Sequence, residues 1–148
     1  MIREIHRDEF PKLEVAAREF YAAARLPGEI NFEVFCKNWE FFYDNKMGTI
    51  FALLTEDGSV IYGAIGCIKV PDLFTGEMIA SEMFWFVREG FRGDGLLLMK
   101  TFEKWAKEQG CLYVRMMYLP QLMADSIRNI YKRMGYREIE VAFEKEVM

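Results

Sequence analysis

Three glycines, Gly90, Gly93 and Gly95, fall between an aromatic and β-branched run, Phe84-Trp-Phe-Val87, and an apolar-periodic segment that opens at Leu96. A strand, a glycine-rich turn and a helix start in that order form an anion site. Backbone N–H groups converge there, the helix dipole is positive there, and glycine lets a phosphate come close. Glu82 lies in the same strand, Met78 to Val87, where simple alternation puts it on the face of Phe84 and Phe86. A carboxylate within an apolar strand is costly unless paired or near water. As chemistry, Glu82 reads as a base whose pKa burial lifts toward neutrality; as structure, it reads as an ion-pair partner for Arg88, Arg115 or a lysine. His6, the single histidine, reads as surface or structural, and Cys111 as a core thiol.

Other glycine-loop chemistries do not fit. A Walker loop needs Gly-Lys-Ser/Thr to meet phosphates and magnesium, and that triplet is absent. A Rossmann fingerprint needs a third glycine and a distant acid, where Leu98 and Arg115 stand instead. Cys36, Cys67 and Cys111 are three in number and far apart, which supports neither a disulfide framework nor a zinc site, so no metal is expected.

The elements that must position these residues follow from periodicity. Met1 to His6 reads as a strand. A helix capped by Asp8 carries Leu13, Ala17, Phe20 and Ala24 in one stripe and ends at Leu26-Pro-Gly28; a second, capped by Asn31, carries Phe35, Trp39 and Phe42 and ends near Asn45 to Gly48. Thr49–Leu54 and Ser59–Val70 form a hairpin about Glu56-Asp-Gly58, with Gly63 and Gly66 marking bends or close backbone approach, and Pro71 to Gly76 reverses the chain into Met78–Val87. The helix after the glycine turn runs to about Gln109 with Gly110 as its left-handed cap; Cys111–Leu119 is a strand; a last helix capped by Asp125 stops at Gly135; and Tyr136–Val147 closes the chain as a strand. Antiparallel strands followed by a strand-helix-strand crossover predict an α+β (mixed α/β) fold: a mixed, mostly antiparallel sheet of about six to seven strands with helices on both faces.

The chain of 148 residues, 52% hydrophobic and 28% charged, is expected to form one domain spanning 1–148. A net charge of −4 gives no reason to expect nucleic acid, and no segment has the length of a membrane span, so a cytoplasmic location is expected.

From Met78 to Phe143 the sequence resembles the core of the GNAT family of N-acetyltransferases, and in particular its short bacteriophage forms. The resemblance rests on Arg92-Gly-Asp-Gly95 after the strand ending Phe86-Val87, on the helix Phe102-Glu-Lys-Trp-Ala-Lys-Glu-Gln-Gly-Cys111, and on Ile130-Tyr-Lys-Arg-Met-Gly-Tyr136. The family loop, Q/R-x-x-G-x-G/A, aligns in two ways. Either Arg92 is its first position, with Gly95 fourth and Leu97 in the place of the small residue, or Gly93 and Gly95 are its glycines and Gly90 is first.

The resemblance implies acetyl-CoA as cosubstrate, its pyrophosphate on the amides of Arg92, Gly93, Asp94, Gly95, Leu96 and Leu97. The pantetheine would follow the strand ending at Val87, with the thioester carbonyl at a main-chain N–H near Phe86 or Val87. Tyr131 stands where the family has its general acid, and a phenol of pKa about 10 can protonate a departing thiolate. The first two helices would border the acceptor, bringing Trp39 or Tyr43 near it. The implied function is direct acetyl transfer to a primary amine on a small molecule or protein; the alternative is a non-catalytic module of this fold that binds coenzyme A or a protein. A homodimer is left open.

Overall fold

The computed structural model describes residues 1–148, the side chain of Arg92 excepted. It divides into two compact units, residues 1–117 and 118–148. The first is organised by strand β2, Gly48–Leu54, every residue of which is buried. Ile50, Ala52 and Leu54 point into one core while Phe51 and Leu53 point into another, so this strand is covered on both faces. Around it the strands β1 (Ile2–Glu4), β2, β3 (Ile61–Pro71), β4 (Met78–Val87) and β5 (Tyr113–Arg115) lie in the order β1-β2-β3-β4-β5. Neighbours are antiparallel except β4 and β5, which are parallel and joined by the crossover helix α3, Gly95–Glu108.

Helices α1 (Glu14–Ala23) and α2 (Phe32–Asp44) contribute Ala16 and Trp39 to the first core; α3 contributes Leu98, Phe102 and Ala106 to the second. The mixed sheet with helices on both faces is as the pattern predicts, with five strands among the described residues instead of six to seven. Cys111–Leu119 yields only three paired residues before it leaves β4.

Several local signals act as the sequence indicates. Asn31 Oδ1 accepts from Val34 N (3.1 Å) at the start of α2. Gly110, at φ +76°, follows α3 in the left-handed region that favours glycine. Gly66 lies where β3 passes under Trp39 and Phe84: a Cβ there would stand 2.6 Å from the Trp39 ring. The first helix begins differently. Arg7–Leu13 forms a 3₁₀ turn containing Pro11, and its cap is not Asp8 but His6, whose Nδ1 accepts from Asp8 N (3.3 Å) while Glu9 Oε2 accepts from His6 N (2.8 Å).

In the second unit, helix α4 spans Ala124–Arg133. It starts from Met123 in a left-handed conformation (φ +50°), and Asp125 sits in its first turn instead of capping it. Gly135 (φ +90°) ends it, with Tyr136 N donating to Tyr131 O (2.9 Å). The expected strand Tyr136–Val147 does not form: no residue there pairs in a ladder, and Phe143 is 94% exposed. Alternation alone cannot make a strand when no neighbour supplies the other half of the ladder.

Gly66→Ala is expected to destabilise the protein by about 1–3 kcal/mol through overpacking. Urea unfolding should show a lower midpoint at unchanged slope; an unchanged midpoint would contradict this packing.

Candidate active site

The parallel ladder between β4 and β5 contains three pairs, Ile79↔Tyr113, Ala80↔Val114 and Ser81↔Arg115. Strand β4 continues through Glu82 to Val87 on its β3 side alone. Among the described residues no strand pairs with its other edge: β5 ends at Arg115 while β4 runs on, a fork whose open arm leads directly into the glycine turn.

A β-bulge sets the faces of that arm. Gly66 pairs with Phe84 and Cys67 with Glu82, which leaves Met83 as an extra residue. Residues directly opposite across an antiparallel pair share a face. Phe84 and Phe86 therefore face the α1 and α2 side, with Phe84 5.3 Å from Trp39 and Phe86 5.6 Å from Phe20 (ring centroids). Glu82 instead shares the α3 face of Cys67, which corrects the placement from simple alternation: one inserted residue reverses the parity of the strand.

Glu82 is 4% exposed. Its Oε2 accepts from the backbone N–H of Met117 (3.0 Å), two residues beyond the last ladder pair. Among the described residues no cation pairs with it; Arg88 and Arg115 are held by Glu19 and Asp72. Burial raises its pKa from 4.5 to about 7, with the Met117 amide opposing the shift.

The turn is held from three sides. Gly90, at φ +92°, takes a conformation that an L side chain would strain. Tyr62 on β3 meets Phe91 with tilted rings (centroids 4.7 Å), and its hydroxyl donates to Asp94 Oδ2 (3.4 Å), holding that carboxylate toward β3. Trp85 Nε1 donates to Gly95 O (3.2 Å) and pins the start of α3 to β4. Residues Arg92–Asp94 form a 3₁₀ turn that runs into α3, and the helix has no side-chain cap at Asp94. The first-turn amides of α3 are thus not consumed by a capping side chain, which suits an anion. Arg88 forms a two-pronged ion pair with Glu19 on α1 (2.8 and 2.9 Å) and fixes the entry to the turn. Tyr62 and Trp85 were not among the sequence-derived candidates; a strand tryptophan whose N–H needs a partner was the available signal.

Phe86, Val87, Gly93, Asp94, Gly95, Leu96 and Leu97 are all brought to this fork-and-turn region, together with the backbone of Arg92. The chain matches the model of the Acetyltransferase (GNAT) family over residues 1–136. It belongs to the GNAT acetyltransferase family. Members of this family take acetyl-CoA as cosubstrate, and the uncapped amides beside an open strand edge fit such a molecule. No curated protein matches the sequence.

Solved structures share the fold at low identity. An acetyltransferase of Trypanosoma brucei is 13% identical, with a TM-score of 0.76 and 99% of each chain covered. A ribosomal-protein-alanine N-acetyltransferase of Brucella melitensis is also 13% identical, with a TM-score of 0.75 and 100% of this chain and 99% of that one covered. An aminoglycoside acetyltransferase from an uncultured soil metagenomic sample is 17% identical, with a TM-score of 0.76 and coverage of 100% and 96%.

Tyr131 belongs to the second unit, on α4, where it is buried with its ring 5.7 Å from Tyr136. Trp39 is a core residue, and Tyr43 packs against His6 and Phe10. Between α1 and the start of α2 lies a cavity of about 610 Å³ lined by Glu14, Arg18, Glu29, Ile30, Phe32 and Glu33, among others. Phe32 stacks on Phe35 (5.4 Å), which meets Phe84 on β4 (5.6 Å).

The raised pKa of Glu82 has a consequence for stability. Between 4.5 and about 7 the folded protein holds a proton that the unfolded chain releases, so stability falls as pH rises through that window. The loss is about 3 kcal/mol for a shift of this size. Glu82→Gln keeps the acceptor and removes the titration, so denaturant unfolding at pH 5 and pH 8 should show the variant gaining on the native protein at the higher pH. Equal pH dependence in both would contradict the burial of an ionisable group.

Proposed function

We propose that this acetyltransferase moves an acetyl group from acetyl-CoA to a primary amine by direct transfer. The observation that carries this reading is the fork: β4 has an open edge from Glu82 to Val87, and that edge ends at a glycine turn and an uncapped helix start. An extended pantetheine can pair with such an edge as an added strand would, while the amides of Arg92 to Leu97 receive the pyrophosphate and the Arg92 side chain supplies charge. A main-chain N–H at Val87 stabilises the oxyanion that forms on the thioester carbonyl; Arg88 N donates to Tyr62 O on β3, so by alternation the Phe86 N–H also faces β3 and the Val87 N–H faces the open edge.

In the chemical step Glu82, directly or through one water, takes a proton from the acceptor ammonium. The freed amine nitrogen attacks the carbonyl carbon, the C–S bond breaks, and Tyr131 protonates the thiolate. The second proton, shed by the nitrogen as it becomes an amide, returns to the Tyr131 phenolate while Glu82 gives its proton to water. The products are an amide and coenzyme A. A carboxylate with a pKa near 7 is matched to the first task at neutral pH. A thermal shift on adding acetyl-CoA, together with thiol release over a panel of amines, tests the activity; neither a shift nor release would overturn it.

Two variants test the roles. Tyr131→Phe should lower turnover by about 10²- to 10⁴-fold while leaving coenzyme affinity nearly intact; unchanged turnover removes Tyr131 from the mechanism. The native enzyme should show an acidic limb in its pH–rate profile near pH 7, and in Glu82→Gln that limb should vanish. A variant that keeps that limb would exclude Glu82 as the base.

A further inference from the structure

The buried Glu82 carboxylate has a geometric relation that proton transfer does not require. The ladder between β4 and β5 ends at Ser81↔Arg115, and the bulge at Met83 follows at once on β4. At that vertex the chain leaving β5 turns to a side chain of β4: Met117 N donates to Glu82 Oε2 at 3.0 Å. A ladder that simply frayed would leave its next donors to water. Here a carboxylate reaches from the α3 face, opposite Cys67 on β3, and holds the departing chain at a side chain's length from the β4 backbone.

We propose that Glu82 is a positioning residue as well as the base, a clasp that fixes how far β5 stands from β4 and thereby presets the width of the coenzyme channel. This rests on the reading of the open β4 edge as that channel. A charge-assisted bond donated by a backbone N–H to a buried carboxylate is among the stronger single hydrogen bonds, and removing the acceptor leaves the amide without this partner. The bond lies at the vertex, so a change there alters the spacing of β5 from β4 where the open edge begins. As Glu82 takes a proton in turnover, the bond loses its charge assistance, which links proton uptake to the grip on the coenzyme.

The experiment pairs Glu82→Gln, which keeps an acceptor oxygen, with Glu82→Leu, which keeps approximate size but offers none. Coenzyme A affinity is measured by calorimetry, and amide exchange at Met117 by NMR. The clasp predicts affinity in Glu82→Gln within about threefold of the native protein, and affinity in Glu82→Leu lower by about tenfold or more. It also predicts Met117 N–H protected in the native protein and in Glu82→Gln, and exposed in Glu82→Leu. A Glu82→Leu protein that binds coenzyme A as the native one does overturns the clasp. Should Glu82→Leu fail to fold, fast exchange at Met117 in the native protein overturns it equally. The proton-acceptor role fails separately, through full turnover by Glu82→Gln with Met117 still protected.

Discussion

Every backbone N–H and C=O in a sheet needs a partner, and a parallel ladder supplies partners only while two strands stay adjacent. Between β4 and β5 that adjacency lasts for three residue pairs, although β4 runs on for six residues more. The open edge this leaves would be a liability in a sheet that had no use for it. In this protein it is bounded by features that make it usable: a bulge where pairing stops, a carboxylate at the vertex, and a glycine turn with an uncapped helix start at the far end. The remaining architecture supports that arrangement. Strands β2 and β3 are covered on both faces, β3 pairs with β4 along one edge, and Trp85 and Tyr62 fasten the turn to the sheet.

The bulge at Met83 separates two environments along one strand. On the α1 and α2 side, Phe84 and Phe86 join Phe20, Phe35 and Trp39 in a continuous set of ring contacts. On the α3 side, Glu82 sits beside Cys67 in a setting that disfavours its charge. Without the inserted residue the carboxylate would project among the aromatic rings, away from the end of β5. A single extra residue thus decides whether Glu82 can reach Met117.

Much of this was legible in the sequence because it rests on local chemistry. Asn31 caps its helix as a side-chain acceptor must, Gly110 and Gly135 take the left-handed positions where helices end, and the glycine turn falls between the strand and the helix that its neighbours specify. What escaped was non-local. The bulge depends on how β4 meets β3, so alternation along β4 alone assigned Glu82 to the wrong face. The partner of Glu82 is a backbone amide 35 residues away, not one of the cations that charge complementarity nominated. The alternating tail from Tyr136 to Val147 reads as a strand, but pairing needs a neighbour that no local pattern can announce, and its alternate glutamates suit water equally well. His6 became a cap because Pro11 and the 3₁₀ turn before α1 shifted the helix start away from Asp8.

The claim on which the rest depends is that the open edge of β4 and the turn beyond it receive the coenzyme. Backbone amide shifts recorded during a titration with coenzyme A test it most directly. The fork predicts saturable changes confined to Glu82–Val87, Gly90–Leu97 and Met117, with the amides of β1 and β2 unmoved. Saturable binding that leaves those amides in place and perturbs another surface would contradict it.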